Sequence, residues 1–257
     1  MRWRWSWLRW ATWMTILFLY LPIGMLILFS FNASRLSASW QGFTFAWYGM
    51  LVHDGSLIDA ALNSGFIAVV STVLALCLGV SGVLGLEGLC ARHQDAIESA
   101  ILLPLVIPEV MMGVALMLFF VTIKLPLSLT TVVIGHVVFN IPLVMVIVRA
   151  RLKKLDHRLT EAARDLGASR WQVFHRVTEP LLRPAIVGSA LIAFTVSLDD
   201  FIVTFFVAGP GATTLPLKVY SMIKAGITPE INALSTIVVL ASMSLVGLSL
   251  LLQRKFA

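Results

Sequence analysis

Apolar runs of spanning length recur six times along the chain, at about 13–31, 62–84, 97–121, 128–149, 181–208 and 233–252. A helix needs roughly 20 apolar residues to cross the hydrocarbon core of a bilayer. Inside lipid every backbone N–H and C=O must be satisfied within the segment, so runs of this length have to be helices. The period-two alternation of a membrane barrel is absent. The pattern predicts an all-α, polytopic membrane protein with six transmembrane helices. Residues 1–12 form a basic and aromatic tail, 13–252 the six-span domain and 253–257 a short C-terminal tail. The longest polar interval falls at about 150–180, between the fourth and fifth spans.

Composition agrees with the pattern. Of 257 residues 59% are hydrophobic and 12% charged, with mean hydropathy +0.93, whereas a soluble domain carries about 25% charge. Basic residues orient the spans. With the N-terminus inside, the cytoplasmic side carries Arg2, Arg4, Arg9 and Arg92, nine basic residues from Arg149 to Arg183, and Arg254 with Lys255. The outer side carries only Arg35, Lys124, Lys218 and Lys224. This is the positive-inside bias, and it places both termini in the cytoplasm. The net charge of +6 then reports topology, and no nucleic-acid partner is expected. The interleaved Arg and Trp of residues 2–10 read as an interfacial belt with basic anchors. The first span is expected to be retained, because Asn32-Ala33-Ser34 is a weak cleavage site. Cys77 and Cys90 are expected to be core thiols. Gly79, Gly82, Gly85 and Gly88 recur every third residue, as small residues do where helix backbones pack closely.

The polar interval carries local signals. Asp156 is a plausible N-cap, and Leu159, Ala162, Ala163 and Leu166 fall on one narrow helical stripe. Gly167 is placed to end that helix in a left-handed conformation. Ser169 with Gln172 reads as a capping box for a second helix that runs into the fifth span past Pro180 and Pro184. The expected product is a helix, a sharp glycine turn and a second helix. A solvated loop or a helix lying on lipid headgroups is the bland alternative; the small apolar face suits a protein groove better.

Three acids lie inside predicted spans: Glu109, Asp199 and Asp200. Each costs about 2.5–3.5 kcal/mol at a helix centre on insertion scales, so such residues face a bundle interior or water and are functional by default. Ser197, Asp200 and Thr204 share one stripe of a continuous helix, with Asp199 about 100° away, above Thr195. No Lys or Arg lies mid-span to neutralise the acids, which points to a cation from outside. Helix–helix hydrogen bonding, or a carboxylate kept protonated by burial, is the structural alternative. Pro104 and Pro108 are expected to break or kink the third span beside Glu109. His136 is a lone mid-span histidine, expected to be hydrogen-bonded in the core; His53, His93, His157 and His175 are scattered and suggest no metal site.

Glu161-Ala162-Ala163-Arg164-Asp165-Leu166-Gly167, nine residues, then Val177-Thr178-Glu179-Pro180 resembles the E-A-A-x-x-x-G-x9-I-x-L-P signature of ABC importer permeases. Glutamate stands where that family has leucine, which is expected to alter packing behind the docking helices. Ser30-Phe31-Asn32, Ser197-Leu198-Asp199-Asp200, the run from Gly209 to Pro216 and Pro229-Glu230-Ile231-Asn232-Ala233 narrow the resemblance to the second permease subunit of spermidine/putrescine importers. It covers nearly the whole chain.

The resemblance implies a type I, MetI-like permease fold in the bacterial inner membrane. It implies that Glu161, Ala162, Ala163, Asp165 and Gly167 couple to a separate ATPase. Alanines permit close approach, glycine makes the turn and glutamate can pair with a basic residue of the partner. The implied partners are a different permease subunit, two ATP-binding subunits and a periplasmic polyamine-binding protein. No phosphate loop of the G-x-x-x-x-G-K-[ST] type occurs here, so no cofactor is expected on this chain, and ATP with magnesium belongs to the partner ATPase. A polyamine needs spaced carboxylates and aromatic faces. Asp199, Asp200, Glu109, Ser197 and Trp47 are the candidates. Trp47 would sit at the outer mouth, with a loop or interface anchor as its alternative. Rival cargoes are ferric iron, thiamine, sulfate or molybdate, of which the oxyanions are disfavoured by three intramembrane acids. An intramembrane enzyme would need a second catalytic motif, and none is present; a proton-coupled carrier would not need the docking motif.

Overall fold

The computed structural model describes residues 2–34, 39–87, 89–226 and 228–256; the side chains of 2–6, 91, 157 and 245–256 lie outside the description. Helices follow one another as α1 (Arg2–Phe29), α2 (Ala46–His53), α3 (Gly55–Leu86), α4 (Ala91–Val106), α5 (Glu109–Thr122), α6 (Leu129–Leu152), α7 (His157–Asp165) and α8 (Arg170–Val173). A π-helical turn, Phe174–Thr178, leads to α9 (Glu179–Asp199), α10 (Ile202–Val207), α11 (Leu215–Ala225) and α12 (Pro229–Phe256). Among the described residues there is no strand, only an isolated antiparallel bridge between Asn32 and Phe43.

The chain forms two compact units, Met1–Ile58 with Lys218–Gly247, and Asp59–Leu217 with Leu248–Ala257. In the first, the large apolar side chains of α1 from Trp7 to Met25 are exposed. Its following loop closes on Asn32, which is fully buried. Asn32 Nδ2 donates to the Ser39 carbonyl at 2.7 Å, and its Oδ1 accepts from Gln41 N at 2.9 Å.

The second unit is built around α6. That helix is apolar on all sides, the pattern of a helix surrounded by protein, and two-thirds of its most apolar window is buried. One core cluster joins Ile67, Met112, Phe120, Val132, Phe139, Val203 and Val207 from α3, α5, α6 and α10. Another joins Ala75, Val83, Val144, Met145, Val148 and Leu182 from α3, α6 and α9. A Cβ on Gly79 would stand 2.8 Å from Val144, and one on Gly82 would stand 3.3 Å from Met145. The predicted packing role thus holds at these two positions. Gly85 faces open space, and Gly88 lies outside the described residues. Cys77 and Cys90 are free thiols, but both are exposed; the expected core position is not found.

Trp7–Phe29, Gly55–Leu86, Leu129–Leu152 and Arg170–Asp199 are long and apolar enough to cross a membrane. The break expected at the prolines of the third span is present: α4 and α5 meet at 103°, although Pro104 stays inside α4. Pro108 has no N–H and forces the preceding Ile107 into an extended conformation (φ −70°, ψ 133°). The fifth stops at Asp199 instead of running to 208, with Asp200 extended (φ −64°, ψ 123°) before the short α10. The interval 233–252 lies within α12, with the side chains from 245 on outside the description.

Candidate functional site

The two helix breaks open on one cavity of about 660 Å³. Pro104, Leu105, Ile107, Glu109 and Met112 line it from the α4–α5 break, and Thr195, Val196, Asp199, Asp200 and Phe201 from the α9–α10 break. The sequence placed these acids on two spans; the fold brings all three to one space.

They do not stand alike. Asp200 caps α10. Its Oδ2 accepts from Thr204 N and Thr204 Oγ1, each at 2.9 Å, and its Oδ1 from Val203 N at 3.3 Å. His136 Nε2 lies 3.2 Å from the same Oδ2; since a carboxylate only accepts, that nitrogen carries the proton between them. The other ring nitrogen, Nδ1, lies 2.6 Å from Ser197 Oγ, which is 2.9 Å from Ser71 Oγ. His136 is 1% exposed, as expected of a hydrogen-bonded core residue. What sequence reasoning missed is that this histidine is the mid-span partner of an acid. A lone titratable ring facing a chain with unexplained buried carboxylates was the available signal. The stripe of Ser197, Asp200 and Thr204 assumed a continuous helix; the three meet instead across a break, around the imidazole.

Asp199 and Glu109 are exposed to the cavity, and neither has a hydrogen bond or ion pair among the described residues. Glu109 opens α5 and so answers the positive end of that helix, as Asp200 does for α10. The carbonyl-bearing ends of α4 and α9 face the same space with no basic residue in their last turns. The cavity is therefore electronegative. A further ion pair, Arg149 Nη2 to Glu98 Oε2 at 2.7 Å, ties α6 to α4 and was not foreseen.

Trp47 is 8% exposed, and its Nε1 donates to the Asn32 carbonyl at 2.8 Å. Of the two roles open to it, its geometry is that of the loop anchor.

The helix–turn–helix of the polar interval has the expected geometry. Asp156 Oδ1 accepts from Arg158 N at 3.0 Å, Gly167 has φ +82°, and Ser169 N donates to Gln172 Oε1 at 2.8 Å. Glu161, Ala162 and Asp165 are exposed and Ala163 half-buried. Around the turn Leu166 is 89% and Trp171 70% exposed. α8 passes into α9 through the π turn, where Glu179 N bonds to the Phe174 carbonyl. Pro180 has no N–H and would crowd the carbonyl four residues back; the wider turn removes that conflict. Glu179 pairs with Arg183 at 2.7 Å.

Membrane-length helices, one bent pair and an exposed helix–turn–helix before a long helix define the permease class of ABC importers. The chain superposes on a bacterial ABC transporter involved in the import of the acidic polysaccharide alginate with TM-score 0.77 at 16% identity, covering 98% of this chain and 96% of that one. Residues 89–257 match the model of the binding-protein-dependent transport system inner membrane component, and the chain belongs to that family. It is 38% identical to the spermidine/putrescine transport system permease protein PotC of Escherichia coli (strain K12), over 92% of this chain and 90% of that protein. It is 39% identical to the putrescine transport system permease protein PotI of the same strain, over 90% and 84%. It is thus homologous to permease subunits of transporters, which are not enzymes and hold no nucleotide themselves.

Proposed function

We propose that this chain is a permease subunit of an ATP-driven polyamine importer in the bacterial inner membrane, with six spans and both termini in the cytoplasm. It pairs with a different permease subunit to form the pathway. Of the importer's two ATP-binding subunits, one docks on the helix–turn–helix, through Glu161, Ala162, Ala163, Asp165 and Gly167. A periplasmic binding protein delivers spermidine or putrescine to the outer face.

The observation that carries the reading is the pair of unpartnered carboxylates, Asp199 and Glu109, on a cavity where two helix C-termini converge. Such a site favours a cation along an extended chain and repels an oxyanion. The 38–39% identity to polyamine permeases supports the same cargo. ATP-driven closure of the ATPase dimer pulls on the helix–turn–helix, and the continuous run Arg170–Asp199 carries that movement to the break that holds Asp199. The cavity opens outward to receive the amine and relaxes inward to release it. The acids hold the amine only moderately, since a tight site would not let it go.

The test is uptake of radiolabelled spermidine and putrescine by cells expressing all subunits. Asp199→Asn should raise the half-saturating concentration about tenfold, the scale of one charge-assisted contact, with assembly intact by pull-down. Wild-type kinetics in Asp199→Asn and in Glu109→Gln would remove the cavity from the pathway. Absence of amine uptake in the wild type would overturn the cargo.

A further inference from the structure

We infer that His136 is a positioning residue of this cavity: through Asp200 it fixes the α9–α10 break and thereby reserves Asp199, with Glu109, for the cargo. The inference rests on reading the cavity as a cation path. It assigns different tasks to two adjacent aspartates.

Asp200 has little left to offer a ligand. Its side chain is 7% exposed, and His136, Thr204 and Val203 already occupy both oxygens. An incoming ammonium would have to displace one of them and uncap α10. Asp199, one residue earlier, has no such bonds. The difference depends on the imidazole, which is itself held on three sides. Ser197 bonds Nδ1, with Ser71 of α3 behind it; Thr204 Oγ1 lies 2.9 Å from Nε2; and the Phe139 ring packs 5.2 Å away, centre to centre. The ring thus joins α3, α6, α9 and α10 at the point where the fifth span breaks. Without it Asp200 loses its one ring donor and can swing into the cavity, so the cargo meets two adjacent carboxylates in a different geometry. The amount of folded protein is not the primary quantity that changes; the match between cavity and amine is.

The experiment uses the complete importer in proteoliposomes, at equal amounts of assembled complex, with labelled spermidine and putrescine. His136→Ala should shift the half-saturating spermidine concentration severalfold, because the carboxylate geometry that meets the amine changes, and change the preference between the two amines. His136→Gln should restore both, because its amide offers one acceptor to Ser197 and one donor to Asp200. Combined with Asp200→Ala, His136→Ala should add nothing, since both remove the same bond. Unchanged half-saturation in His136→Ala, or full additivity with Asp200→Ala, overturns the assignment. A second readout does not depend on the cargo. In a background with Cys77→Ser and Cys90→Ser, Asp199→Cys is modified by a cationic methanethiosulfonate reagent. The rate should change on adding His136→Ala and return with His136→Gln. An unchanged rate overturns the role of His136 even if the wild type moves neither amine, a result that by itself would overturn only the polyamine reading.

Discussion

At Gly167 the chain reverses between α7 and α8 using only its near neighbours: Asp156 caps one helix, Ser169 and Gln172 cap the next, and a left-handed glycine joins them. At Asp199–Phe201 the chain breaks between α9 and α10 using residues 61 and 126 positions away, His136 bonded to Ser197 and Ser71 behind it. The first break is exposed, with Leu166 and Trp171 standing out on either side; the second lies among four helices and opens on the cavity. A turn made from local bonds keeps its shape whatever it touches, which suits the docking role proposed for it. A break made from long-range bonds keeps its shape only while its neighbours stay in place, which suits a part that must respond when the bundle shifts. The run Arg170–Asp199 joins the two.

Substitutions can act on one break without the other. The largest effect is expected from Gly167→Val. A β-branched residue at φ +82° costs roughly 1–3 kcal/mol of backbone strain, and the turn should reshape. Transport should fall tenfold or more while the subunits still co-purify and ATP is still hydrolysed; coupled, wild-type transport would mean the turn is not the docking element. Gly79→Ala acts instead on the packing of α3 against α6, the helix that carries His136 to the long-range break. Its Cβ would stand 2.8 Å from Val144, and overpacking of this kind costs about 1–3 kcal/mol. The melting temperature of the detergent-solubilised complex should drop, and Val144→Ala in the same chain should recover most of it. A drop that Val144→Ala does not relieve would place the clash elsewhere. The smallest effect is expected at Trp47→Phe, which keeps a ring but loses the bond to Asn32. About 1 kcal/mol of stability should go, with no change in half-saturating amine concentration. A clear rise in that concentration would return Trp47 to the pathway.

The first break was legible in the sequence because every bond in it spans a few residues. Caps and glycine turns are fixed by side chains adjacent to the backbone groups they satisfy, so Asp156, Gly167, Ser169 and Gln172 could be assigned their geometry one by one. The bend between α4 and α5 was half legible: Pro104 and Pro108 announced a break, but not an angle of 103°. The end of α9 was not legible at all. Nothing in Ser197-Leu198-Asp199-Asp200-Phe201 forbids a helix, and a continuous stripe was the reasonable expectation. Trp47 could be an aromatic at the mouth or an anchor until its indole was seen to meet Asn32.

The sequence by itself determined the class of this protein: apolar runs of spanning length must be helices in lipid, and the motif from Glu161 to Gly167 carries the family resemblance. The tertiary structure decided which acids are free. Asp199 and Asp200 are adjacent and chemically identical, and no local rule separates them. Only the packing of α6 against α9 and α10 puts His136 beside one and leaves the other facing the cavity, because a hydrogen bond is made by residues that meet in space and not by residues that are near in the chain.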